Sequence, residues 1–233
     1  MDILENIEDI KKNIKLSAGK VNRNPDEILL LAVTKTVNID RIKEAVSFGL
    51  KDIGENKVQE LCDKYPYLKD LTNFHFIGHL QTNKVKYIID KVKMIYSLDS
   101  MRLAEEIDKR AKQKNLIMDC LVEVNVAGEK SKYGVLPDDT IDFIKMLERF
   151  KNIRIKGLMT VAPNIPAEDV RPYFKKMKEL FDNLKNVCQS NVDAKYLSMG
   201  MTNDYKVAIE EGANIIRIGT GIFGKRLYKM EGN

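Results

Sequence analysis

Ile28-Leu29-Leu30-Leu31-Ala32-Val33-Thr34-Lys35 opens with six consecutive apolar residues and closes on a hydroxyl and an amine. Asn24-Pro25-Asp26 is a turn signal before it, and Asn38, a residue type that caps helices, comes just after. An unbroken apolar run of this length between turn signals reads as a strand buried on both faces. A strand with one wet face would alternate instead. Such strands belong to parallel sheets covered by helices.

Working outward from that strand, the same unit recurs. Before it, residues 3–21 read as a helix with Ile3, Ile7, Ile10, Ile14 and Ala18 on one face. After it, a helix capped by Asn38 runs to about Phe48 and stops at Gly49. Further strands are predicted over residues 52–54, 73–77, 94–98, 118–126, 153–160, 195–198 and 214–218. Helices are predicted over 57–64, 83–91, 101–114, 138–150, 167–187 and 204–212. The count is eight strands, each but the last followed by a helix. Strict alternation argues for the α/β class with a parallel sheet, and eight units in a chain of this length predict a single (β/α)8 TIM-type barrel with an extra N-terminal helix. Periodicity leaves a doubly wound open sheet as the alternative. No Pro/Gly/Ser linker or composition shift divides the chain, so one domain is expected over residues 1–233.

The bulk numbers exclude several classes. With 44% hydrophobic and 31% charged residues in 233, the chain is of ordinary globular composition. Its longest apolar runs are far too short to cross a membrane, and the N-terminus lacks the apolar core of a signal peptide. Cys62, Cys120 and Cys188 are odd in number and widely spaced, so neither a disulfide framework nor a metal pair is expected, and the cytoplasm suits them. The net charge of +5 comes from 39 basic and 34 acidic residues interspersed along the chain. That pattern is expected to be a solvated surface and not a nucleic-acid face.

In a barrel of this kind chemistry gathers at the C-terminal ends of strands. Lys35 ends the first strand, where desolvation would favour the neutral amine that a Schiff base requires; from position alone, a lysine reaching to solvent is an equal alternative. Arg217-Ile218-Gly219-Thr220-Gly221 ends the last strand. Its glycines would let backbone amides and the Thr220 hydroxyl approach a phosphate, with Ser198-Met199-Gly200-Met201 well placed to share it. An ordinary Gly-rich turn is the alternative. His75 and His79 are four apart, but Phe74, Phe76, Ile77 and Gly78 put them on a strand and turn. No metal is expected, and His75 is expected to be a satisfied interior histidine. Glu105-Glu106 and Glu210-Glu211 are expected to be solvated helix faces, and Lys130 and Lys132 a solvated basic loop.

Together these motifs resemble the YggS/PROSC family of pyridoxal 5′-phosphate (PLP) homeostasis proteins. The similarity runs through Ala32-Val33-Thr34-Lys35, Gly54-Glu55-Asn56-Lys57-Val58-Gln59-Glu60 and His75-Phe76-Ile77-Gly78-His79-Leu80-Gln81-Thr82-Asn83-Lys84. It continues in Gly128-Glu129-Lys130-Ser131-Lys132-Tyr133-Gly134, Gly157-Leu158-Met159-Thr160, Leu197-Ser198-Met199-Gly200-Met201-Thr202-Asn203-Asp204 and Arg217-Ile218-Gly219-Thr220-Gly221-Ile222-Phe223-Gly224. Phe74 stands where the family pattern leads one to expect Trp. The resemblance implies the barrel half of alanine racemase as the fold and PLP as the cofactor. It implies a Schiff base on Lys35, Arg217 facing the pyridine nitrogen, Ser198, Gly219 and Thr220 holding the phosphate, and Asn56 and Met159 lining the cofactor. An arginine there keeps the ring nitrogen unprotonated and the cofactor a poor electron sink. Alanine racemase draws a tyrosine base from a second, β-rich domain, and no such domain is expected here. A PLP reservoir or carrier without robust turnover is therefore expected. The alternatives are a weak amino-acid racemase and a barrel enzyme acting on a phosphorylated metabolite. PLP-dependent apo-enzymes and PLP-synthesising enzymes are the partners implied, and a monomer is expected.

Overall fold

The computed structural model describes residues 2–224. The apolar run forms β1 (Leu29–Val33), followed by β2 (Asp52–Glu55), β3 (Asn73–Phe76), β4 (Met94–Leu98), β5 (Met118–Glu123), β6 (Ile153–Met159), β7 (Val192–Ser198) and β8 (Ile215–Ile218). All pairs are parallel, and β8 returns to β1 in a register running from Leu29 opposite Ile215 to Ala32 opposite Ile218. That closure decides for the (β/α)8 barrel over the open sheet.

Alternation along the strands sorts side chains into two layers. Leu31, Met94, Tyr96, Leu121, Met159 and Ile215 fill the interior as an apolar plug. Ala32, Ile53, Phe74, Ile95, Val122, Leu158 and Ile216 face outward beneath the helices. Both layers are shut off from water, so each large aliphatic residue contributes about 1.5–3 kcal/mol by burial. This is why β1 reads as a continuous apolar run.

The helices are α1 (Ile3–Lys20), α2 (Ile39–Ser47), α3 (Val58–Leu68), α4 (Val85–Ile88), α5 (Met101–Gln113), α6 (Thr140–Met146), α7 (Ala167–Lys185), α8 (Tyr205–Glu210) and α9 (Thr220–Phe223). The Asp2 carboxylate caps α1 by accepting from the Leu4 amide at 2.9 Å. The buried stripe Ile3, Ile7, Ile10, Ile14 and Ala18 turns α1 toward α8, α9 and α2. With α9 only one turn long, α1 takes the place of an eighth outer helix.

Several boundaries differ from the sequence reading, each for a packing reason. The helix expected to stop at Lys64 runs through Pro66 to Leu68, because Leu61, Lys64 and Leu68 share a buried face. The helix expected over 83–91 is a 3-10 turn (Thr82–Lys84) plus the single turn of α4. The last strand is followed by a short helix after all, α9. Strand β7 starts at Val192, whose pairing with Ile155 lies beyond an irregularity in the β6–β7 register that no local pattern reveals. Glu210 and Glu211 are not a solvated face. Their side chains are 12% and 15% exposed, and Arg171 reaches both, at 2.8 and 2.6 Å, because α7 packs on α8. Lys132 is half-buried, meeting Glu129 at 2.8 Å and the Ala162 carbonyl at 3.2 Å.

Among the described residues, no helix is long and apolar enough to cross a membrane. All three cysteines are unpaired.

Candidate functional site

The C-terminal ends of β1 and β8, with the loops that follow β6 and β7, enclose a cavity of about 650 Å³. Lys35, Asn38 and Arg41 come from the first unit, Asn164 from the sixth, Thr202 and Asp204 from the seventh, and Arg217, Gly219 and Thr220 from the eighth. The volume lies in the range of small-molecule sites.

Arg217 points into the barrel in alternation with Ile215 of the interior plug, and it is 4% exposed. Its Nη1 donates to Ser198 Oγ at 2.7 Å and its Nη2 to the Thr160 carbonyl at 2.8 Å. Both partners are neutral, and among the described residues no carboxylate reaches it at ion-pair distance. Burial pulls its pKa down, opposed by the more distant Tyr96, Asp204 and Glu123. A guanidinium nevertheless stays charged, so the cavity floor holds a positive charge with unspent N–H donors.

Beside it, Gly219 caps α9 and Thr220 begins it. The Thr220 hydroxyl donates to Thr202 Oγ1 at 3.2 Å, and the Gly221 amide donates to the same oxygen at 3.3 Å. A Cβ at Gly221 would approach Ile218 Cγ2 to 2.8 Å and Thr202 Cγ2 to 3.2 Å, so only glycine leaves this cradle open. The cradle and the Arg217 charge suit an anionic group such as a phosphate.

Lys35 follows β1 on the cavity wall and is half-buried. Thr34 and Val37 close a turn around it, with the Val37 amide donating to the Thr34 carbonyl at 3.0 Å. The next residue, Thr36, has φ +64°, a region that β-branched residues rarely adopt. Such strain persists where the surroundings over-determine it, and it clusters at functional sites.

The seven expected site residues do not all share this wall. Lys35, Arg217, Gly219 and Thr220 do. Ser198 is fully buried, and its hydroxyl accepts from Arg217 and so helps orient the guanidinium. Met159 belongs to the interior plug, and Asn56 directly follows β2 with its Oδ1 buried and unpartnered among the described residues. Thr202, Asn38 and Arg41 are wall residues that sequence reasoning missed. Thr202 had a signal, since it sits two residues past Gly200 in a strand-end motif. Asn38 was read only as a helix cap, and it does accept from the Arg41 amide at 2.9 Å.

Other polar groups gather at the same end. The Glu123 carboxyl is buried, with Oε2 unpartnered among the described residues. Burial, and then Asp99, push it up to about 7, while Arg217 pulls it down. His79 lies 3.5 Å from Asp99 and stacks on Tyr133 at 3.6 Å between ring centres. His75 sits at the opposite end. Its Nε2 meets Asp52 at 2.9 Å, but its buried Nδ1 has no partner among the described residues, so it is only half satisfied. Among the described residues no group of three or more His, Cys, Asp or Glu is placed to hold a metal ion.

Comparison with known proteins agrees with this geometry. The family described as alanine racemase, N-terminal domain, matches residues 6–226. A pyridoxal phosphate homeostasis protein of Aquifex aeolicus is 46% identical over 230 residues, covering 98% of this chain and 100% of that one. The crystal structure of an unknown protein from Bifidobacterium adolescentis superposes with a TM-score of 0.91 at 33% identity, covering 95% of this chain and 94% of the other. PipY of Synechococcus elongatus, solved with PLP bound, superposes with a TM-score of 0.79 at 28% identity, covering 95% and 100%.

Proposed function

The chain belongs to the pyridoxal phosphate homeostasis proteins, within the alanine racemase N-terminal domain family, and from that premise we propose that it binds PLP reversibly through Lys35 as a homeostasis protein without robust turnover. The observation that carries this reading is the buried Arg217 guanidinium. It has only neutral partners, and it faces the same cavity as an amine and a glycine–threonine cradle. A charge so placed, with donors to spare, favours an acceptor-rich ligand in that cavity.

The residues divide the work by chemistry. PLP supplies an aldehyde that condenses reversibly with a primary amine to a Schiff base, and reversibility is what a reservoir needs. Lys35 supplies the amine at the cavity wall. Gly219, Thr220 and Thr202 would hold the phosphate at the start of α9, where Thr202 Oγ1 accepts from the Thr220 hydroxyl and the Gly221 amide. Arg217, held in orientation by Ser198 and the Thr160 carbonyl, would face the pyridine nitrogen of bound PLP, where a permanently charged donor would disfavour its protonation. Asn56 and Met159 complete the surroundings. The cytoplasm, monomeric action, and PLP-dependent apo-enzymes or PLP-synthesising enzymes as partners are part of the same proposal.

The test is the visible absorption spectrum of the purified protein beside Lys35→Ala prepared identically. A yellow band present in the parent and absent from the variant is expected. A colourless parent, after PLP is added and the excess removed, would sink the proposal, and a band surviving in Lys35→Ala would move the attachment elsewhere. The weak-racemase alternative predicts exchange of the α-proton of L-amino acids at enzyme-like rates, which this proposal does not.

A further inference from the structure

The strained turn that carries Lys35 is gripped from outside the cavity. Lys64, on α3, is buried, and its Nζ donates to the Thr34 carbonyl, Glu55 Oε1 and Glu60 Oε1, each at 2.7 Å. That uses all three ammonium donors. Glu55 Oε1 also accepts from the Thr34 hydroxyl at 2.6 Å, and Glu60 Oε1 accepts from the Thr36 amide. The two residues flanking Lys35 are therefore tied by side chain or backbone to one lysine and two glutamates of the β2–α3 unit. The Thr36 hydroxyl closes the turn by donating to the Lys35 carbonyl at 2.6 Å.

None of these groups lines the cavity apart from Lys35 and Thr36 themselves. The arrangement also costs free energy. Burial raises the Glu55 pKa against the opposing pull of Lys64, Glu55 Oε2 has no partner among the described residues, and Thr36 sits at positive φ. A buried ion triad is a weak stabiliser, and its best-attested role is to select one conformation over others. The conformation selected is that of the turn bearing the amine.

We propose that Lys64, Glu55 and Glu60 form a positioning clamp that holds the Lys35 turn ready for the cofactor, so that the clamp sets the affinity and rate of PLP loading. The proposal rests on Lys35 being the cofactor lysine. The clamp acts through population. Apparent affinity falls in proportion to the fraction of molecules whose turn has the competent shape, so loosening the turn weakens loading without any change at the cavity wall.

The experiment compares the parent with Glu60→Ala, which removes the acceptor for the Thr36 amide, and Glu60→Gln, which keeps one. Lys156→Met is the control: it breaks the 2.5 Å ion pair between buried Lys156 and the more exposed Asp193, at the far end of the barrel. Two measurements are made: amide hydrogen exchange of the turn in cofactor-free protein, and visible absorption, which reads PLP affinity and loading rate. In Glu60→Ala, turn protection and PLP affinity are each expected to fall roughly tenfold. Glu60→Gln should restore both, and Lys156→Met should lower the melting temperature while moving neither. Glu60→Ala that keeps parental protection and affinity would overturn the clamp. So would Lys156→Met producing the same loss, since the effect would then be one of general stability. A parent that exchanges as expected but never turns yellow would overturn the cofactor reading instead, with the exchange data still deciding whether the turn is clamped.

Discussion

At the N-terminal end of the barrel Asp52 meets His75 at 2.9 Å, Arg154 meets Asp119 at 2.7 Å, and Lys156 meets Asp193 at 2.5 Å. At the C-terminal end Arg217 meets a hydroxyl and a carbonyl, and Glu123 Oε2 meets nothing among the described residues. The pKa directions follow. At the N-terminal end, hydrogen bonds from Lys156 and Lys195 lower Asp193, and Asp119 raises Arg154. Burial pushes Asp52 up, but His75, Asn73 and Lys93 outweigh it and the net shift is down. At the C-terminal end burial raises Glu55, Asp99, Glu123 and Asp204 and lowers Arg217. One end gains from its charges, while the other holds them at a cost. Groups whose charged forms are disfavoured in this way mark functional sites, because the strain they represent is tolerated where a ligand or a reaction makes use of it. A barrel has the same strands at both ends, so the difference lies in which partners each end provides.

The strongest way to break this comparison is Glu123→Gln. The Glu123 pKa is raised to about 7 in the folded protein from an ordinary 4.5, so between those values the folded state binds the extra proton. The Glu123 contribution to stability is then expected to fall as pH rises from about 4.5 to about 7 and to level off above. Replacing the carboxyl by an amide should remove that slope and make the variant more stable than the parent at pH 8, by up to about 3 kcal/mol. Urea unfolding at pH 5 and pH 8 measures it, and equal slopes in the two proteins would show that the C-terminal end stores no such cost.

Arg217→Met is the next largest test. It removes a buried charge but strands the Ser198 hydroxyl and the Thr160 carbonyl, so folding stability should change by only about 1 kcal/mol. PLP affinity should fall at least tenfold, or about 1.4 kcal/mol, because a charged donor to the ligand is lost. A large loss of stability with unchanged PLP affinity would make Arg217 a structural residue. The smallest effect belongs to the N-terminal end. The Asp52 pKa is depressed in the folded state, so its contribution is present above the unfolded value and is lost as pH falls through the lower folded value. Asp52→Asn should therefore cost about 1 kcal/mol at neutral pH, flatten the acid limb of the stability curve below about pH 4, and leave PLP binding untouched. Weakened PLP binding in this variant would erase the distinction between the two ends.

Much of this was legible beforehand, and the reason differs from residue to residue. Leu29–Val33 is readable because burial on two faces leaves an uninterrupted apolar run, and the seven strands after it, several of them interrupted by polar residues as in Asp52–Glu55 and Val192–Ser198, are readable from their alternation with helical stretches. Lys35, Arg217, Gly219 and Thr220 were readable because strand ends are predictable once strands are, and all four reach one cavity wall. The bond between the Ser198 hydroxyl and Arg217 is not legible, since nothing local says that a hydroxyl on β7 will face a guanidinium on β8. The Glu210–Glu211 pair was misread because Arg171, its partner, lies about forty residues away on another helix.

The sequence by itself therefore determined the alternation of elements, the strand ends where chemistry gathers and the identity of the residues there, because each depends on contacts within a few positions. Barrel closure between β1 and β8, the neutral company of Arg217, the rise of Glu123 and the grip of Lys64 on the Lys35 turn were decided only by the tertiary structure. Those are matters of desolvation and of partners far apart in the chain, and both exist only once the barrel has closed.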